Sequence, residues 1–190
     1  MEKYKDKYRI PSARYLSHDY NEGTYFITVC THERKHCFGN IVDKEMHLSK
    51  LGRYVDGCIC QIPVINKDVI LHSYVVMPNH IHLVFSVQCG VLENKRQALK
   101  ELSSKMEMPK SDVSTLMKII ANSCGKASHI ISQMKSAVTR YAKKEQIIFA
   151  WQSRFHDHII KDGGEFDKIM HYVLTNVENW EKDCFCIESV

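Results

Sequence analysis

His80 and His82 stand one residue apart in VVMPNHIHLVF (75–85), a stretch that otherwise has the composition of sheet core. Side chains alternate along a strand, so both imidazoles leave one face while Ile81, Leu83 and Phe85 take the other. Neighbours on one face lie about 7 Å apart at the α-carbon, from a rise of roughly 3.3 Å per residue. Two neutral imidazoles so placed can converge on one divalent cation. Two ligands alone make a weak site, so a third group must come from elsewhere in the chain. His156 and His158 repeat the spacing around Asp157 in FHDHII. A histidine at a sheet edge can also serve only as a hydrogen-bonding residue, and spacing does not choose between these pairs.

The eight cysteines, at positions 30, 37, 58, 60, 89, 124, 184 and 186, form no C-x-x-C pair. The two C-x-C pairs lack the usual spacing of zinc ligands, and reduced, partly buried thiols are the reading adopted. Nucleophile candidates include nine tyrosines. In the last helical pattern, Phe166, Ile169, Met170, Val173, Val177 and Trp180 form an apolar stripe. At 3.6 residues per turn Tyr172 lies roughly 110° from the centre of that stripe. Asn176 faces nearly the same way one turn later, and Glu165, Lys168 and Asn179 share this polar flank. A solvent-facing tyrosine would occupy the same position. Tyr141 falls inside its own helix's apolar stripe and reads as core.

These residues need elements to position them. TYFITVCT (24–31) reads as a strand, rich in β-branched and aromatic residues. Leu48, Leu51, Tyr54, Val55, Cys58, Ile59 and Ile62 recur at helical spacing. A strand over 69–77, a turn at Pro78-Asn79 and a strand over 80–87 follow. Residues 88–112 are polar and read as a surface insertion. Helices over 113–120 and 127–144 flank Cys124-Gly125, the second striped by Ile130, Ile131, Met134, Ala137, Val138 and Tyr141. A short strand over 155–160 and a helix from Glu165 to about Lys182 complete the chain. The order β-α-β-β-α-β predicts an α+β fold: a ferredoxin-like antiparallel sheet, as in RNA-recognition folds, with helices on one face and the other face open to a ligand.

At 190 residues, 44% hydrophobic and 25% charged, the chain fits a single globular domain over 1–190. No apolar run approaches the roughly 20 residues that span a bilayer, and MEKYKDKYRIPSARY lacks an apolar signal region, so a cytoplasmic protein that does not engage membranes is expected. A net charge of +4 permits a nucleic-acid partner. Lys126, Lys135, Arg140, Lys143 and Lys144 crowd one segment, a pattern that fits phosphate contact or a solvated helix face.

Several blocks, in order, carry a resemblance: HDYNEGTYFITVCTHERKHCFG (18–39), MHLSKLG, MPNHIHLVF, KSAVTRY and WQSRFHDHII. Together they resemble the HUH endonucleases, in particular the single-tyrosine transposases of small bacterial insertion sequences. Nearest is the branch associated with repetitive extragenic palindromes (REP). The resemblance covers nearly the whole chain outside 88–112. YVLTN (172–176) matches the family's tyrosine-x-x-x-asparagine motif, with Val177 where that branch usually has proline.

The resemblance implies that Tyr172 is the nucleophile and that His80, His82 and Asn176 bind Mg²⁺ or Mn²⁺. It implies a substrate of single-stranded DNA folded into a hairpin, cut through a 5′-phosphotyrosine ester. Because a free phenol has a pKa of about 10, a metal, a base or a cation such as Lys168 must help it lose its proton. Metal binding should weaken at acid pH, where imidazole protonates. The basic residues 126, 135, 140, 143 and 144, with Lys3, Lys5, Lys7 and Arg9, could follow the DNA backbone. His158 falls in a matching block and could touch phosphate. Relatives include monomers and dimers, so a homodimer is among the expected states. The rival readings are a non-catalytic single-stranded nucleic-acid binder and a rolling-circle replication initiator. A metal hydrolase is disfavoured because no H-E-x-x-H motif appears.

Overall fold

The computed structural model describes residues 23–88 and 125–186, together with the backbone of two short paired strands, β1 (Lys3–Tyr4) and β2 (Lys7–Tyr8). The expected insertion beyond Gln88, the helix over 113–120, and Lys5 and Arg9 lie outside the described residues.

Alternation in GTYFITVC sets the layers. In β3 (Gly23–Cys30), Tyr25, Ile27 and Val29 are fully buried on one face, while Phe26 and Thr28 point to the other. β3 pairs with β7 (His80–Val87) on one side and β8 (His156–Ile160) on the other, and β6 (Val69–Val76) pairs with β7. The sheet order is β6-β7-β3-β8, antiparallel throughout, which is the ferredoxin-like arrangement expected. Register places Thr28 between His82 and His156, and Cys30 beside His80.

α1 (Lys50–Cys60), α2 (Ile62–Ile65) and α3 (Lys126–Lys144) belong to the main core. Leu51, Val55 and Ile59 meet Ile130, Ile131, Met134 and Val138 over the face of Tyr25, Ile27, Ile81, Leu83 and Phe85. Tyr141 packs against this core and stacks on Tyr54, ring centroids 3.8 Å apart.

The opposite face, expected to be open, is covered in part by α4 (Gly163–Thr175). Its Phe166, Ile169, Met170 and Val173 pack on Val75, Val84, Phe26 and Ile160. Asp162 caps its first turn by accepting from the Glu165 amide at 2.9 Å.

Two boundaries differ from the sequence reading. A hairpin of β4 (Gly39–Val42) and β5 (Glu45–Leu48) precedes α1 and takes Leu48 into a strand. Its turn places Asp43 and Lys44 at φ 51° and 62°, a left-handed pair built here without the glycine that usually advertises it. The last helix stops at Thr175 instead of running to Lys182. Asn179 Nδ2 donates to the Thr175 carbonyl at 2.9 Å, and a short 3-10 turn (Trp180–Lys182) redirects the chain.

Two glycines of α1 test the packing. A Cβ on Gly52 would stand 2.0 Å from the Phe38 carbonyl oxygen, whereas one on Gly57 would meet nothing within 4 Å. Gly52→Ala is therefore expected to cost about 3 kcal/mol, roughly 6–12 °C in Tm. Gly57→Ala should gain about 0.5–1 kcal/mol from helix propensity. Thermal unfolding followed by circular dichroism reads both, and shifts of the same sign would contradict this packing.

Candidate active site

His80 and His82 are 0% and 1% exposed, with their Nε2 atoms 3.0 Å apart. Both rings are held from behind. Asn79 Nδ2 donates to the Phe185 carbonyl at 2.8 Å, which turns Asn79 Oδ1 toward His80 Nδ1, also at 2.8 Å. An acceptor there requires the proton on Nδ1 and leaves a lone pair on His80 Nε2. His82 Nδ1 lies 2.8 Å from the Thr28 hydroxyl, which can accept in the same way. Two ring nitrogens this close need a proton or a cation between them.

Burial holds both imidazoles at a pKa of about 3, helped at His80 by the Arg34 guanidinium and at His82 by its neighbour. Both are neutral at neutral pH, the form that coordinates, so protonation begins far below the usual histidine range.

The end of α4 brings in the phenol. Tyr172 Oη lies 3.3 Å from His82 Nε2 and 3.4 Å from Asp183 Oδ2, and the residue is 40% exposed. Burial and then the Asp183 carboxylate push the phenol up to about 12. It is protonated at neutral pH unless positive charge enters the site.

Asn176 is 2% exposed; its Nδ2 donates to Asp183 Oδ2 at 3.2 Å, and its Oδ1 is buried with no hydrogen-bond partner. His80, His82 and Asp183 offer ligand atoms within 4.8 Å of one another. Two ring nitrogens, a carboxylate and an unsatisfied buried amide oxygen suit a divalent cation. Around them, the Phe185 and Trp180 rings face His80 at 4.5 and 6.1 Å, and the Arg34 guanidinium lies 3.9 Å over Phe185.

No family model matches the chain. An uncharacterized protein of Haemophilus influenzae is 32% identical over 174 residues, covering 90% of each chain. The structure of a REP-associated tyrosine transposase bound to a REP hairpin superimposes with a TM-score of 0.51 at 14% identity, over 88% of this chain and 74% of that one. This chain and the Haemophilus influenzae protein belong to one family, and its fold is tyrosine-transposase-like. A candidate transposase from Deinococcus radiodurans matches at a TM-score of 0.36 and 13% identity, over 81% of this chain and 90% of that one.

On this transposase-like fold, Tyr172, His80, His82 and Asn176 meet within a single chain. The other candidates lie apart. His158, on β8, pairs with Glu165 at 2.7 Å, and both His156 and His158 are exposed. Lys168 is exposed on α4. The basic residues of α3 belong to the helix covering the opposite face of the sheet. Lys126 pairs with Asp68 at 3.0 Å, and Lys135 donates to the carbonyls of Gln152 and Arg154 at 2.9 and 3.1 Å. Arg140, Lys143 and Lys144 are exposed. For Lys3 and Lys7 only the backbone is described. Among the described residues no helix is long and apolar enough to cross a membrane.

The sequence reading missed Asp183. Its one available signal was an acidic residue seven positions after Asn176, and that becomes informative only once the helix is known to end at Thr175.

Thr28 tests the support from behind. Thr28→Val keeps the shape but removes the partner of His82 Nδ1, and is expected to weaken Mn²⁺ binding by about 10–100-fold. Calorimetric titration of the DNA-free protein measures this; unchanged affinity would contradict the role given to Thr28.

Proposed function

We propose that this chain is a single-stranded DNA endonuclease and strand transferase acting as one HUH-type domain, with Tyr172 as nucleophile and hairpin-forming DNA as substrate. The observation that carries the reading is the 3.3 Å approach of the Tyr172 phenol to His82, inside a buried histidine pair on a transposase-like fold. The hairpin is drawn from the REP hairpin bound to the structural neighbour.

In the proposed reaction, Tyr172 Oη attacks the scissile phosphorus. A P–O bond to the tyrosine forms, the bond to the 3′ oxygen breaks, and the phenolic proton leaves as the 3′-hydroxyl is released. The ester keeps the bond energy, so a second 3′-hydroxyl can reverse the step and join strands without ATP. His80 and His82, with a donor from the C-terminal segment, would hold Mg²⁺ or Mn²⁺, which would supply charge neutralisation at the phosphate and favour the phenolate. Asn79 and Thr28 keep both imidazoles aimed. Asn176, buried one turn beyond Tyr172, ties the helix end to Asp183.

Phe26 meets the Tyr172 ring edge-on at 6.1 Å between centroids, and His156 and His158 stand exposed on the same sheet face. The exposed His156 on this strip would offer a hydrogen-bond donor to an incoming strand. Arg140, Lys143 and Lys144 would attract phosphate from the other face.

Labelled hairpin DNA with a single-stranded flank, incubated with Mn²⁺ or Mg²⁺, should give a covalent protein–DNA adduct that survives denaturation. Tyr172→Phe should bind the hairpin with unchanged affinity and give none. Adduct in the variant would reassign the nucleophile, and wild-type binding without adduct would favour a non-catalytic binder.

A further inference from the structure

We infer that Asp183 supplies the anionic ligand of a His80–His82–Asp183 divalent metal site, and that Asn176 and Phe185 hold its carboxylate in place. The inference rests on the proposed metal-dependent reading and names a residue that the tyrosine-x-x-x-asparagine motif does not contain.

Imidazoles coordinate as neutral rings, and an amide ligand would be neutral too. A dication here would enter a buried site that also holds a guanidinium, since Arg34 lies 3.9 Å over the Phe185 ring that packs on His80. Hard dications bind where oxygen ligands carry negative charge, and a buried charge without a counter-charge is strongly disfavoured. Among the described residues, Asp183 is the one carboxylate grouped with the two imidazoles at ligand-sharing distance.

The Asp183 carboxylate is held at both oxygens. Oδ1 accepts from the Phe185 amide at 2.8 Å. Oδ2 accepts from Asn176 Nδ2 at 3.2 Å and from the Tyr172 hydroxyl at 3.4 Å. Phe185 is fixed in turn: its carbonyl accepts from Asn79 Nδ2, and its ring lies between His80 and Arg34. The amide that sets the His80 tautomer therefore also anchors the strap that carries Asp183. Ligating carboxylates are held by such outer hydrogen bonds. The early end of α4 at Thr175 makes the geometry possible, since a helix continued to Lys182 would carry residue 183 away from the site.

The test is Mn²⁺ binding to the full chain without DNA, read by electron paramagnetic resonance and calorimetry. Asp183→Asn should weaken affinity by about 100-fold, with unfolding temperature unchanged in metal-free buffer. Asp183→Glu should recover most of that loss. Asn176→Ala should weaken binding less than Asp183→Asn does. Asp183→Asn affinity within threefold of wild type, or a larger loss in Asn176→Ala than in Asp183→Asn, would overturn the inference. If Asp183→Asn is poorly folded, Asp183→Ser is the substitute, with the same outcomes deciding. The adduct assay separates this from the functional reading. A wild-type chain that binds Mn²⁺ through Asp183 yet forms no adduct sinks the nuclease and leaves the metal site. Adduct formation with Mn²⁺ affinity indifferent to Asp183 does the reverse.

Discussion

Two imidazole nitrogens 3.0 Å apart in a site closed to solvent constrain everything around them. Such a pair cannot both carry protons, and without a proton or cation between them their lone pairs repel. The surrounding structure keeps them together nonetheless. Thr28 and Asn79 fix the far side of each ring, the pairing of β3 with β7 fixes the backbones, and Phe185 and Trp180 limit escape. A residue set serving stability alone would place apolar side chains here, because buried polar pairs repay their desolvation only with good partners. The arrangement makes sense as a preorganised binding site.

The same constraint explains the division of the sheet. One face carries the large core with α1 and α3; the other carries a small cluster under α4, of which only Val84, Ile160 and Val173 are buried. A thin layer suffices because α4 has to reach the histidines with its last turn. Tyr172 is left half out of it, close enough to touch His82 and exposed enough to meet a substrate. Its raised pKa is the cost of that position, and a cation in the site would lower it.

Much of this was legible in the residues. Strand alternation put His80 and His82 on one face, and the order of elements gave the sheet. The 3.6-residue period put Tyr172 on the flank of its helix beside Asn176. What failed to show had physical reasons. Asp43 and Lys44 adopt left-handed backbone without glycine, so the β4–β5 hairpin had no turn signal. Asn179 ends a pattern whose apolar stripe continues through Val177 and Trp180, so the strap carrying Asp183 read as helix. The basic run in α3 could not say which sheet face it would cover, because charge in sequence carries no information about side. Lys126 and Lys135 have partners far along the chain in Asp68 and the Gln152–Arg154 carbonyls.

The central claim is that the buried histidine pair holds a divalent cation within reach of the Tyr172 phenol. Anomalous X-ray diffraction from crystals soaked in Mn²⁺ tests it most directly. The account predicts one strong peak in coordination contact with His80 Nε2 and His82 Nε2, on the Tyr172 side of the rings. A well-ordered histidine pair without that peak, or Mn²⁺ at His156 and His158 instead, would contradict it.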